Sequence, residues 1–184
     1  MIKKNYIVFL GLLFFLACFI SLSVVFSATV TLNGGTFADV QSGVNTAGTN
    51  GELNLGNNLY LGSGNDIIID GIDDLLIQGS SNSSRAMMDA NLISEVFQVG
   101  SSSSNITFKY INFVNGNASD RSGAGINAHG TITLEDCGFI NSYGASGTAL
   151  MIHPNAPNSQ VINCQFIGSR CIYENTTWGP RGQL

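Results

Sequence analysis

One phrase is written three times in this chain. NITFKYINFVNGNA at 105–118 returns as TITLEDCGFINSYGA at 131–145 and, thinner, as QVINCQFIGSR at 160–170. Aligned on Phe113, Phe139 and Phe166, the copies stand 26 and 27 residues apart. Two residues before each Phe stand Ile111, Cys137 and Cys164, and two after stand Asn115, Asn141 and Gly168. Apolar residues alternate within each copy, which predicts strands with one buried face. The alternation breaks phase between Phe108 and Ile111, so each copy is two short strands meeting at a bend near Lys109–Tyr110, and likewise near Glu135–Asp136 and Ile162–Asn163. A second landmark aligns on Ile126, Leu150 and Ile172, spaced by 24 and 22 residues, and supplies a third strand per repeat.

A period in the twenties with three short strands and no helical pattern predicts an all-β chain wound as a right-handed parallel β-helix, a solenoid. A single coil of this kind cannot bury its inner face alone. Stacking coils about 4.8 Å apart joins the inner faces into one core and sets like residues above like. The Phe column and the Asn115/Asn141 pair then become ladders, with the Asn side chains expected to bond one another along the axis. Looser alternation upstream, in GELNLGNNLYL and in the segment 72–100, predicts the first coils. Phe37, Val40 and Val44 sit at helical spacing and predict a short cap over the first coil, where an open sheet edge would otherwise be sticky.

The chain therefore divides into 1–27, 28–52 (N-terminal strand and cap), 53–173 (coils) and 174–184 (a tail). The first part is basic at Lys3 and Lys4 and then apolar from Ile7 to Phe26. It reads as a secretory signal peptide cleaved after Ser27, or as an uncleaved N-terminal anchor long enough to span a bilayer. Both place the remainder outside the cytoplasm, extracellular or at the cell surface. No C-terminal cap is evident beyond Trp178, and the tail reads as the end of a truncated solenoid. Without the first 28 residues the chain holds 5 basic and 12 acidic residues, net −7, which argues against nucleic acid and anionic lipid as partners.

The segments LLIQGSSNSSRAMMDAN, SSNITFKYINFVNGNAS and GTITLEDCGFINS resemble the adhesin-like surface proteins of methanogenic archaea, over roughly Leu53 to Tyr173. That resemblance implies a secreted, repetitive, right-handed β-helix of the pectin-lyase-like type. It implies display rather than catalysis, because the shared motif is structural. In that family an Ile-Tyr pair usually follows the Gly-Ala-type turn. Ile172-Tyr173 keeps it, while Ile126-Asn127 and Leu150-Met151 depart from it.

A lyase-type site needs carboxylates gathered on one outer face around a cation, with a base beside them. Asp73/Asp74 and Glu135/Asp136 are sequence neighbours that a strand points to opposite sides, and Asp66 and Asp70 lie four apart, about 13 Å along a strand. Arg85, Arg121 and Arg170 share no column of the repeat. His129 and His153 are 24 residues apart and fall on successive coils as a polar surface column, without a third metal ligand. Cys137 and Cys164 share an inner column at disulfide range, with reduced thiols filling core slots favoured over a strained bridge. No catalytic residue, cofactor or metal site is assigned. The sequons at Asn82, Asn105, Asn117 and Asn175 are candidate glycosylation sites. Tyr110 and Tyr143, at a bend and in a loop, are candidate ligand contacts. The expected function is adhesin-like binding of glycans or of cell-surface proteins on neighbouring cells. The competing readings are a carbohydrate-active lyase or hydrolase and a structural envelope component or inert fragment. End-to-end self-association of the last coil is a further expectation.

Overall fold

The computed structural model describes residues 27–171, so the apolar run before Ser27 and the positions Ile172, Tyr173, Asn175 and Trp178 lie outside the described residues. Within that range the chain is a parallel β-solenoid of about five turns. Sheet A stacks β1 (Thr29–Thr31), β3 (Glu52–Gly56), β6 (Leu76–Gly79), β9 (Ile106–Lys109), β13 (Ile132–Glu135) and β17 (Gln160–Ile162). Sheet B stacks β2 (Gly35–Thr36), β4 (Leu59–Leu61), β7 (Ala86–Asp89), β10 (Ile111–Val114), β14 (Gly138–Ile140) and β18 (Gln165–Ile167). Sheet C holds β5 (Ile67–Ile69), β8 (Phe97–Val99), β12 (Ile126–Ala128) and β16 (Leu150–Ile152). A short sheet D of β11 (Asn117–Ser122), β15 (Tyr143–Ser146) and β19 (Arg170–Cys171) appears only in the later coils.

The register lays the columns out along the axis. Tyr60, Met88, Phe113, Phe139 and Phe166 follow one another on sheet B. Phe113 and Phe139 stack with ring centroids 4.8 Å apart, and Phe139 and Phe166 with 4.9 Å. Phe97, Phe108 and Phe113 instead meet edge to face across the interior at 5.0–6.1 Å, joining the three sheets. Tyr60 heads the column, and its hydroxyl donates to the Leu55 carbonyl at 2.9 Å, which lets a phenol sit fully buried.

Corners come from residues that accept a left-handed backbone. Tyr110, Asp136 and Asn163 have φ of 57°, 52° and 53° at the bend between sheets A and B. Asn115, Asn141 and Gly168 have 51°, 53° and 68° at the end of sheet B. Asn, Asp and Gly tolerate this region at little cost. That tolerance accounts for the recurrence of Asn115 and Asn141 better than side-chain ladders do. Asn115 donates to Asp89 Oδ1 at 2.9 Å, one coil nearer the N-terminus, where a bond to Asn141 was expected.

The N-terminal cap is α1, Phe37–Ala47. Thr36 and Asp39 form a capping box at its start, and Phe37, Val40, Gly43, Val44 and Ala47 are its buried stripe. Gly43 lets the helix settle close, since a Cβ there would meet the Leu53 side chain at 2.8 Å. The first coil is thus β1, β2 and α1. β1 pairs with β3 in register, so the segment 28–52 is continuous with the solenoid and the helix stands where a sheet C strand would. Gln41 on α1 does the work of that missing strand. Its side-chain amide accepts from Ile68 N at 2.7 Å and donates to Ile68 O at 2.9 Å.

Two consequences can be measured. Phe139 is fully buried between two stacked rings, so Phe139→Ala is expected to cost about 3–5 kcal/mol. Phe166, 39 % exposed on the last described coil, is expected to cost about 1–2 kcal/mol on the same change. Equal losses in urea titrations of the two variants would contradict a core that thins toward that coil. Gln41→Ala leaves both backbone groups of Ile68 without their partner, and a loss of about 1–2 kcal/mol with faster self-association in sedimentation is expected.

Candidate functional site

Strand N–H and C=O groups of a parallel solenoid point along the axis to the neighbouring coils, so its outer faces offer side chains alone. On sheet B the outward residues of successive coils are Leu59, Met87, Asn112, Gly138 and Gln165. Beside them the chain between β6 and β7 bulges outward as a tight turn closed by Ser81 and Ser84. Turn and strands enclose an open groove of about 690 Å³. Its walls include Ser81, Asn82, Ser83 and Arg85 from the turn, and Asn112, Ile140 and Gln165 from the strands. Gly138, between Asn112 and Gln165 in this column, makes room for the Asn112 carboxamide, because a Cβ there would run into Asn112 Oδ1 and approach Arg85 Nη1 at 3.3 Å.

Arg85 is held by amide oxygens. Nε donates to Asn82 Oδ1 at 3.1 Å, Nη2 donates to the same oxygen, and Nη1 reaches Asn112 Oδ1 at 3.4 Å. No carboxylate among the described residues pairs with it, whereas Lys109 is paired with Glu135 at 2.7 Å. The hydrogen bond to Glu135 raises the Lys109 pKa, with burial acting weakly in the other direction.

Tyr110 and Tyr143 are both half-buried but sit at different corners, Tyr110 between sheets A and B and Tyr143 at the start of β15. The Lys109 ammonium lies 5.0 Å from the Tyr110 ring centroid, a cation–π contact that holds the ring of a residue strained at positive φ. Neither tyrosine lines the groove.

His129 and His153 stack with ring centroids 3.6 Å apart and planes 14° from parallel. His153 Nε2 lies 3.0 Å from Asn127 Oδ1. Burial lowers the His153 pKa, and the charge of a protonated His129 lowers it further. Among the described residues no three His, Cys, Asp or Glu side chains gather as a metal site. The carboxylates instead serve turns: Asp73 accepts from Ser104 N and Oγ, Asp74 from Asn105, and Asp70 from Ser102. Cys137, Cys164 and Cys171 are free thiols. The neighbouring Cys164 and burial push the Cys137 thiol up. A hydrogen bond from Cys137 draws Cys164 down to about 7, with the Arg85 charge contributing.

The described sequons differ in what their amide nitrogens do. Asn105 Nδ2 donates to Asp74 Oδ1 at 3.1 Å and Asn117 Nδ2 to Leu92 O at 2.7 Å. Asn82 is exposed and spends only its oxygen, on Arg85.

The groove escaped the sequence reading for a definable reason. Asn112, Gly138 and Gln165 occupy one column, one residue before each aligned Phe, and that much was visible in the repeat. Arg85 shares no column of the repeat with Arg121 or Arg170, so no recurring cation points to it. The coil it belongs to carries Met88 where the phrase has Phe, so the register that brings Arg85 beside Asn112 had no marker.

No protein-family model, curated protein or solved structure matches the chain.

The histidine stack predicts a pH dependence. A folded pKa below the ordinary 6.5 means that the unfolded chain takes up the proton first as pH falls. Stability is then fully present above about pH 6.5 and is lost as pH drops through the lowered folded value. His153→Asn removes the titrating ring while keeping a side chain that can bond Asn127, and should flatten urea midpoints between about pH 7 and 5. An unchanged slope would mean that other groups carry the effect.

Proposed function

We propose that this chain is an adhesin-like, non-catalytic display protein of the extracellular space or cell surface, which holds glycans through side chains on its outer faces. The observation that carries this reading is the sheet B groove. It is open to solvent, walled by hydroxyl, amide and guanidinium groups, and seated on strands that the stacked core holds rigid. Ser, Asn and Gln side chains match the donor and acceptor repertoire of sugar hydroxyls. Support also comes from the resemblance of the repeated phrases to adhesin-like proteins of methanogenic archaea, and from the basic-then-apolar N-terminal run, which fits export. Asp70, Asp73 and Asp74 are spent on turn hydrogen bonds rather than paired for the acid–base work of sugar cleavage.

Rigidity is what such a function asks of the fold. A ligand held by a few side chains on a preorganised face loses less entropy than one held by mobile loops. The test is the full chain on an array of neutral and acidic oligosaccharides, with the heat-denatured chain as control. Retention of a subset of glycans without release of new reducing ends is expected. Binding no better than the denatured control would sink the display reading, and released reducing ends would replace it with an enzyme.

A further inference from the structure

Among its described lining residues the groove has one cationic group, Arg85. Among the described residues no carboxylate pairs with it. A guanidinium carries five N–H groups. Its bonds engage Nε, Nη1 and Nη2, all to amide oxygens of Asn82 and Asn112, which orient the plane without removing charge. One N–H on each terminal nitrogen is left over. A guanidinium with N–H groups to spare on both terminal nitrogens is a donor that a carboxylate can engage.

We propose that this groove takes a carboxylate-bearing saccharide, with the acid group on Arg85 and ring hydroxyls on the amides and serines around it. The inference rests on the glycan-display reading and names its ligand class. Three observations narrow it. Gly138 makes room for the Asn112 carboxamide that Arg85 Nη1 bonds, since a Cβ there would run into Asn112 Oδ1. Ile140 supplies an aliphatic wall suited to the C–H face of a sugar ring, while Gln165 and the turn serines supply hydroxyl partners. The backbones of β10 and β14 are spent on neighbouring coils on both sides, so these two strands offer an acidic peptide no edge to pair with. The formal net charge of −5 also works against drawing densely charged polyanions from a distance. Selectivity therefore lies in one short-range contact with a single carboxylate.

Methyl glucuronide and methyl glucoside differ only in the carboxylate at C6 and make the deciding pair. Titrated into the full chain and followed by NMR, the glucuronide is expected to bind at least about tenfold tighter. Arg85→Gln should bring the two within about twofold of one another while weak glucoside binding survives. Should that variant misfold by circular dichroism, Asn112→Ala keeps the charge but frees the guanidinium, and a partial loss of the preference is expected. Equal affinity of the two glycosides, a preference that survives in Arg85→Gln, or acetate competing as well as glucuronide would each overturn the proposal. If neither glycoside binds while the array retains other glycans, the Arg85 site is wrong and the display reading stands. If the array is also empty, both fall.

Discussion

Everything in this molecule depends on parallel strands stacking in register. Each strand gives its backbone N–H and C=O groups to the coils on either side, so a coil has little choice about where its side chains lie. A one-residue slip would turn Phe139 outward and Gly138 inward, exchanging a fully buried ring for an empty slot. The register Phe113, Phe139, Phe166 therefore fixes two things together: a column of stacked rings inside and a column of polar or absent side chains outside. Core and groove are two faces of the same alternation.

Corners are the second requirement, because a strand that ran on would leave the coil. A left-handed residue at the end of sheets A and B turns the chain within one position, and five of the six such residues between 110 and 168 are Asn, Asp or Gly. Tyr110 is the exception. A ring at φ 57° is held in an unfavourable region, and the Lys109–Glu135 pair beside it supplies contacts that offset part of that strain. Cap and corner meet the same need by different chemistry. Where sheet C has no strand in the first coil, Gln41 offers one amide group in place of a backbone, and Ile68 is satisfied from a helix.

The fold was legible because its determinants are local and repeated. Alternation, the phase break at Lys109–Tyr110 and the spacing of Phe113, Phe139 and Phe166 each report a backbone fact, and three copies make the period unmistakable. The helix was legible too, from Phe37, Val40 and Val44. Less could be read where the determinant was a register without a repeated marker. The coil bearing Arg85 and Met88 departs from the phrase, and its turn from Ser81 to Ser84 has no counterpart in the later coils. Asn115 misled for a related reason: an Asn at a fixed place in each repeat fits a side-chain ladder and a left-handed corner equally well from sequence. Only φ and the Asp89 partner separate them.

Such irregularity is where function has room to arise on a solenoid. A perfectly repeating outer face would present the same side chain at every coil, a uniform stripe with no place for a particular ligand. Here the column changes from Met87 to Asn112 to Gly138 to Gln165 while the inner column one position on remains Met88, Phe113, Phe139 and Phe166. Packing holds the inner column to large apolar residues, since a lost ring would leave a cavity between its neighbours. The outer column varies more widely in size and polarity, and is held small only at Gly138, where a Cβ would meet the Asn112 side chain. Arg85 enters from the one turn that bulges over that varied column, and it is anchored by an amide from its own turn and another from the next coil. A charged group reached across two coils in this way inherits the rigidity of the stack, which a loop of the same length standing alone would not have.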